Sequence, residues 1–189
     1  MKYYKLSLDM DRQNDIVCFC DNDFGIKQNE LIIGQEFENW NYKFCFIFDI
    51  DEGNIITDCL RNNKGWLLFS EKLKLLINKN MNTEIQFLPV EIIEKHNRIN
   101  IGNYYIANIL TKVDALCLDK SEYFETEIEE IGVIYTIKKF AVYDDKVQNK
   151  DIFKLSNNQE IPVFASENFK NEVTNNNIIG INLREIRVC

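Results

Sequence analysis

Short runs of alternating apolar and polar residues, bounded by Asn, Asp, Gly or Ser, recur along most of this chain. A period of two predicts strands over residues 3–8, 15–20, 42–48 and 55–60. It predicts further strands over 84–93, 104–110, 132–143, 151–155, 161–165 and 179–188. Pro89 lies inside one of these runs. It has no N–H to give a ladder, so that run is expected at an edge or at a bulge. Turns are expected at 51–54 and 62–65. Residues 21–41 give a weak polar signal broken by Leu31-Ile32-Ile33, and the acidic stretch 119–130 reads as an exposed loop.

The spacing turns helical in two places. Ser70 precedes Glu71, and Leu73, Leu76 and Ile77 follow, which predicts a capped helix over about 71–78. Ser166-Glu167-Asn168-Phe169-Lys170 repeats that opening and predicts a second helix over about 167–174. Each follows a short apolar strand and ends in an Asn-rich turn, which gives two strand–helix–strand units. The fold class is therefore α+β: one strand-rich domain over 1–189, mostly antiparallel, with a few short helices. The pattern also accommodates an N-terminal subdomain at 1–64 ahead of a unit at 65–189.

The 189 residues are 46% hydrophobic, enough to build a core. Thirty acidic against 22 basic residues leave a net charge of -8. Gripping nucleic acid requires clustered Lys and Arg, so nucleic acid is disfavoured as a partner. Seven Gly and two Pro are too few for a glycine-rich phosphate cradle or a Pro-rich linker. The 26 Ile and 24 Asn fit an AT-rich coding sequence, with Asn used in turns and caps. The start of the chain lacks a signal peptide's apolar core, and no run is long enough to span a membrane. The expectation is a soluble, cytoplasmic protein with no membrane partner. The six Cys then read as reduced thiols, several of them packed as small hydrophobes.

Candidate chemistry is sparse. Asp49-Ile50-Asp51-Glu52-Gly53 has the wrong spacing for a calcium loop, whose twelfth position would fall on Leu60. His96 is the single histidine and sits among charged residues, so neither a zinc site nor a triad is supported. No catalytic residue, metal site or cofactor is assigned. Trp40, Trp66, Tyr104 and Tyr105 read first as core aromatics. Glu122, Glu125, Glu127, Glu129 and Glu130, with Asp49, Asp51 and Glu52, are the candidate docking residues for a basic protein. A competing reading places a small-molecule enzyme or binding pocket near Tyr104 or Tyr105, Asp114 and Asp119.

Several motifs occur in an order shared with a known family. They are Tyr3-Tyr4-Lys5-Leu6, Leu68-Phe69-Ser70-Glu71-Lys72-Leu73, Ile85-Gln86-Phe87-Leu88-Pro89-Val90 and Tyr104-Tyr105-Ile106-Ala107-Asn108-Ile109-Leu110. Val113-Asp114-Ala115-Leu116 follows, with Asp119 and Ser121. The pattern closes on Asp151-Ile152-Phe153-Lys154-Leu155, Ser166-Glu167 and Gly180-Ile181-Asn182-Leu183. In this order the chain resembles the immunity proteins of bacterial polymorphic toxin systems, the group typified by a myxobacterial member. The likeness is strongest from Trp66 onward. Cys117-Leu118 interrupts it where the family more often places Asp directly after Val-Asp-Ala-Leu. The resemblance implies a cytoplasmic protein that binds and blocks a cognate toxin. The acidic balance of the chain suits a basic enzyme, such as a nuclease, as that toxin. The resemblance carries over no catalytic residues.

Overall fold

The computed structural model describes residues 1–129, 132–157 and 159–189. Among them the first strands are β1 (Tyr3–Leu8), β2 (Val17–Cys18), β3 (Cys45–Phe48), β4 (Cys59–Asn62), β5 (Leu68–Ser70), β6 (Ile85–Glu94) and β7 (Tyr104–Ile109). Then come β8 (Lys112–Val113), β9 (Glu122–Ile128), β10 (Gly132–Lys139), β11 (Ala141–Val142), β12 (Ile152–Leu155), β13 (Val163–Ser166), β14 (Ile181–Glu185) and β15 (Arg187–Val188). The helices are α1 (Gln28–Ile32), α2 (Glu71–Asn80), α3 (Asp144–Val147) and α4 (Glu167–Asn175). Strands dominate and the helices are short, so the chain is α+β.

One sheet has the order β14-β1-β13-β12-β8 and the other β2-β4-β5-β7-β6-β3. Most neighbours are antiparallel; β8, β2 and β3 join as short parallel edges. Strands β9 and β10 form a separate two-stranded ribbon, and β11 pairs in parallel with β15. The core between the sheets gathers Leu6, Phe69, Leu73, Ile109, Ile152 and Phe169. A second apolar cluster is built around Phe44, Phe46 and Trp66, and a third around Tyr3, Phe153 and Phe164.

The two strand–helix units are joined by matching contacts. Ser70 Oγ accepts the Leu73 N–H at 3.2 Å, and Ser166 Oγ accepts that of Phe169 at 3.1 Å. Each hydroxyl also donates to an aspartate: Ser70 to Asp58 at 2.8 Å, Ser166 to Asp151 at 2.5 Å. The second oxygen of each carboxylate reaches the other unit. Asp58 Oδ2 accepts from Ile179 N at 3.1 Å, just beyond α4. Asp151 Oδ2 accepts from Asn82 N at 2.8 Å, just beyond α2. The backbone completes the exchange, with Asp58 N donating to Ile179 O and Asp151 N to Asn82 O, both at 3.0 Å. Gly180 lets the chains approach, since a Cβ there would lie 2.4 Å from Cys59 O, and its φ is +94°.

The same correspondence continues along the sheets. Tyr104 pairs opposite Ser70 and Tyr3 opposite Ser166. Lys74 sits 3.7 Å from the Tyr105 ring centroid, and Lys170 sits 4.4 Å from that of Tyr4. Both helices bury residues four apart, Leu73 with Ile77 and Phe169 with Val173.

Three sequence expectations need correction. The stretch 119–130 is not a loop: after a 3₁₀ turn at Leu118–Lys120 it forms β9, because Tyr, Phe, Thr and Ile alternate with the glutamates opposite a β-rich partner. Residues 28–32 are helical, with buried Leu31 as the anchor. Pro89 lies, as expected, at a locally open side of β6, where only β7 pairs with it. There its carbonyl accepts from Trp40 Nε1, and β3 begins pairing only at Glu91. Finally, Cys117 and Cys189 form a disulfide, while Cys18, Cys20, Cys45 and Cys59 are free. The register explains the pairing, because Cys117 N donates to Ala141 O and Cys189 N to Val142 O, both at 2.9 Å.

Replacing Asp58 or Asp151 with Ala leaves a buried hydroxyl and an amide of the other unit without their acceptor. Each change is expected to cost about 3 kcal/mol in urea unfolding, since bonds to charged groups contribute about 1.5–3 kcal/mol. Asp145→Ala, at an exposed position, serves as the control and should change stability by less than about 0.5 kcal/mol.

Candidate functional site

The acidic residues singled out in the sequence fall into two groups. Asp49, Asp51 and Glu52 lie on the turn after β3. Its parallel register with β6 sets Phe48 opposite Glu94 and brings in the turn that carries His96. Asp49 accepts from Lys95 Nζ at 2.9 Å and lies 3.1 Å from His96 Nε2. The lysine ammonium and the Asp51 N–H hold its carboxyl down to about 2. Asp51 lies 3.6 Å from the same imidazole nitrogen. Asp49, Asp51 and His96 could together present three ligand atoms to a cation, but Lys95 already neutralises Asp49. The arrangement works as a clasp between two turns. Sequence reasoning did not link His96 to Asp49, because they are 47 positions apart and only the sheet register joins them.

The second group lies on the ribbon. Glu122, at its base, pairs with Lys139 at 2.9 Å and Arg187 at 3.1 Å, and the Lys139 bond lowers its carboxyl pKa. Glu125, Glu127 and Glu129 are exposed and make no ion pair among the described residues. Glu130 lies outside the described residues. The acidic set is thus divided: Asp49 and Glu122 are neutralised within the protein, and the middle of the ribbon carries unpaired charge.

The competing pocket does not assemble. Tyr104 is buried and donates its hydroxyl to Thr57 O at 2.8 Å. Tyr105 donates to Glu71 on α2. Asp114 is exposed and accepts from Asn157 at 2.8 Å, and Asp119 is exposed on the 3₁₀ turn. None of these four lines the main cleft.

That cleft, about 500 Å³, runs between the two sheets and is lined by Leu6, Leu8, Ile32, Trp66, Ile106 and Val163, among others. Lys154 lies in its wall and is 2% exposed. Its ammonium donates to the carbonyls of Ile32, at the end of α1, and of Glu160 at 2.9 Å. Burial pushes its pKa down to about 8, helped by the nearby Lys112 charge and opposed by Glu160. Lys154 therefore ties α1 to the segment before β13. No sequence signal marked it, because it reads as an ordinary polar position in a strand.

Residues 2–188 match the sequence model of the immunity protein family Imm11. The chain belongs to this immunity protein family. No curated protein matches it. The match reaches further toward the N-terminus than the motif order alone implied. Family membership makes immunity the role and a cognate toxin the partner. No described helix is long and apolar enough to cross a membrane.

Because Lys154 has a lower pKa folded than unfolded, the unfolded chain binds more protons between about pH 8 and 10.5. Its contribution to stability therefore rises with pH across that window. Lys154→Met removes this titration. The wild-type minus variant unfolding free energy is expected to grow by about 2 kcal/mol between about pH 7.5 and 10 in urea melts. A flat difference contradicts the assignment.

Proposed function

We propose that this protein binds a cognate toxin in the cytoplasm and neutralises it through a complementary surface, protecting the cell that makes both. The family match over residues 2–188 carries the reading. The charge supports the rest: net -8 overall, with unpaired glutamates on an exposed ribbon, suits a basic partner, and a nuclease has that character. Docking falls on Glu125, Glu127 and Glu129 in preference to Asp49 and Glu122, which lysine and arginine neutralise within the protein. A surface blocker needs no catalytic group of its own.

The test is co-expression with the toxin domain expected to be encoded beside this gene. Growth arrest by that domain should be relieved by the wild-type protein; persistent arrest would sink the proposal. The association rate of the purified pair should fall at least several-fold as salt rises from about 50 to 500 mM, because screening shortens the reach of the charge. A salt-independent rate would make the acidic surface a solubility device.

A further inference from the structure

We infer that the β9–β10 ribbon is the arm that enters the toxin, and that its face bearing Phe124 and Ile128 holds the complex while its glutamates speed encounter. This deepens the proposed function and rests on it. The register divides the ribbon into two faces. On one, Phe124, Thr126 and Ile128 stand opposite Thr136, Ile134 and Gly132, with the Lys138 ammonium at its lower end over the Phe124 ring. On the other, Tyr123, Glu125 and Glu127 stand opposite Ile137, Tyr135 and Val133.

Among the described residues, the body grips the ribbon at its base and at Tyr135. Ile137 packs against the cluster of Tyr3 and Phe164, Lys139 and Arg187 hold Glu122, and Gln159 donates to Tyr135 O at 3.0 Å. Beyond that, Phe124 is 55% exposed, Val133 51% and Ile128 39%. Lys138 covers one side of the Phe124 ring at 4.1 Å, which is partial shielding. Two strands alone are marginal in water, and a ribbon bare on both faces gains most from a partner that covers it.

Charge complementarity specifies that partner. Glu125 and Glu127 lie on one face about 7 Å apart by strand geometry. They make no ion pair among the described residues, and Glu129 follows. The ribbon therefore fits a slot in the toxin with one apolar wall and one basic wall. Apolar anchors in the middle of an interface govern dissociation, and unpaired charges govern association.

The experiment measures binding kinetics between the purified protein and the neighbouring gene's toxin domain, inactivated at its catalytic centre. F124S/I128T is expected to dissociate at least about 30-fold faster at every salt concentration. E125Q/E127Q should associate several-fold more slowly at low salt, with the difference vanishing at high salt. Leu75→Ser, which removes an exposed apolar residue from α2, should leave both rates unchanged. Melting curves are recorded for each variant. If F124S/I128T melts early, Phe124→Thr, which keeps a strand-forming residue, carries the test. Wild-type protein that does not bind this domain overturns the proposed function and the inference with it. Wild-type binding with unchanged ribbon variants overturns the inference alone.

Discussion

Two aspartates hold this fold together by each serving both halves of it. Asp58 fixes the serine that starts α2 and reaches the backbone beyond α4; Asp151 fixes the serine that starts α4 and reaches the backbone beyond α2. Each helix start is thereby tied to the exit of the other helix. Neither half can shift without exposing carboxylate, hydroxyl and amide groups whose partners lie across the junction, and burying such groups unpaired is costly. The apolar core then packs into a frame whose two halves are already in register. Gly180 belongs to the same constraint, since a side chain there would push the halves apart.

The frame also sets where freedom remains. The main cleft lies between the sheets, where Lys154 closes its wall and pins α1. The ribbon lies outside, and among the described residues the contacts that attach it are at its base and at Tyr135. Local stability follows packing, so the amides of the frame should open rarely and those of the ribbon often. A rigid body that presents a softer arm suits the proposed mode of action, in which a partner covers the part that the body leaves bare.

Much of this was legible in the sequence. Alternation located most strands, and Ser70-Glu71 and Ser166-Glu167 marked both helices within two residues. The likeness of the two openings was visible; the reciprocal bonding was not, because Asp58 and Asp151 carry no local signal of what they cap. Strand β9 was misread because five glutamates in nine residues resemble a solvated loop, and only pairing with β10 reveals a strand. The Cys117–Cys189 disulfide was missed for a similar reason: the two cysteines lie 72 positions apart and meet only through β11 and β15. The acidic residues stand out by composition, but their spacing says nothing about which of them are paired. Lys95 and Lys139 neutralise part of it, which sequence spacing does not show.

Amide hydrogen exchange of the protein, alone and with its cognate toxin domain in inactivated form, tests the account most directly. In the free protein the Asn82 and Ile179 amides should exchange with the slow core and the β9–β10 amides should exchange fast. Adding the toxin domain should slow β9–β10 and leave the frame unchanged. Fast exchange at Asn82 and Ile179, or protection that appears around the cleft while the ribbon stays fast, would contradict it.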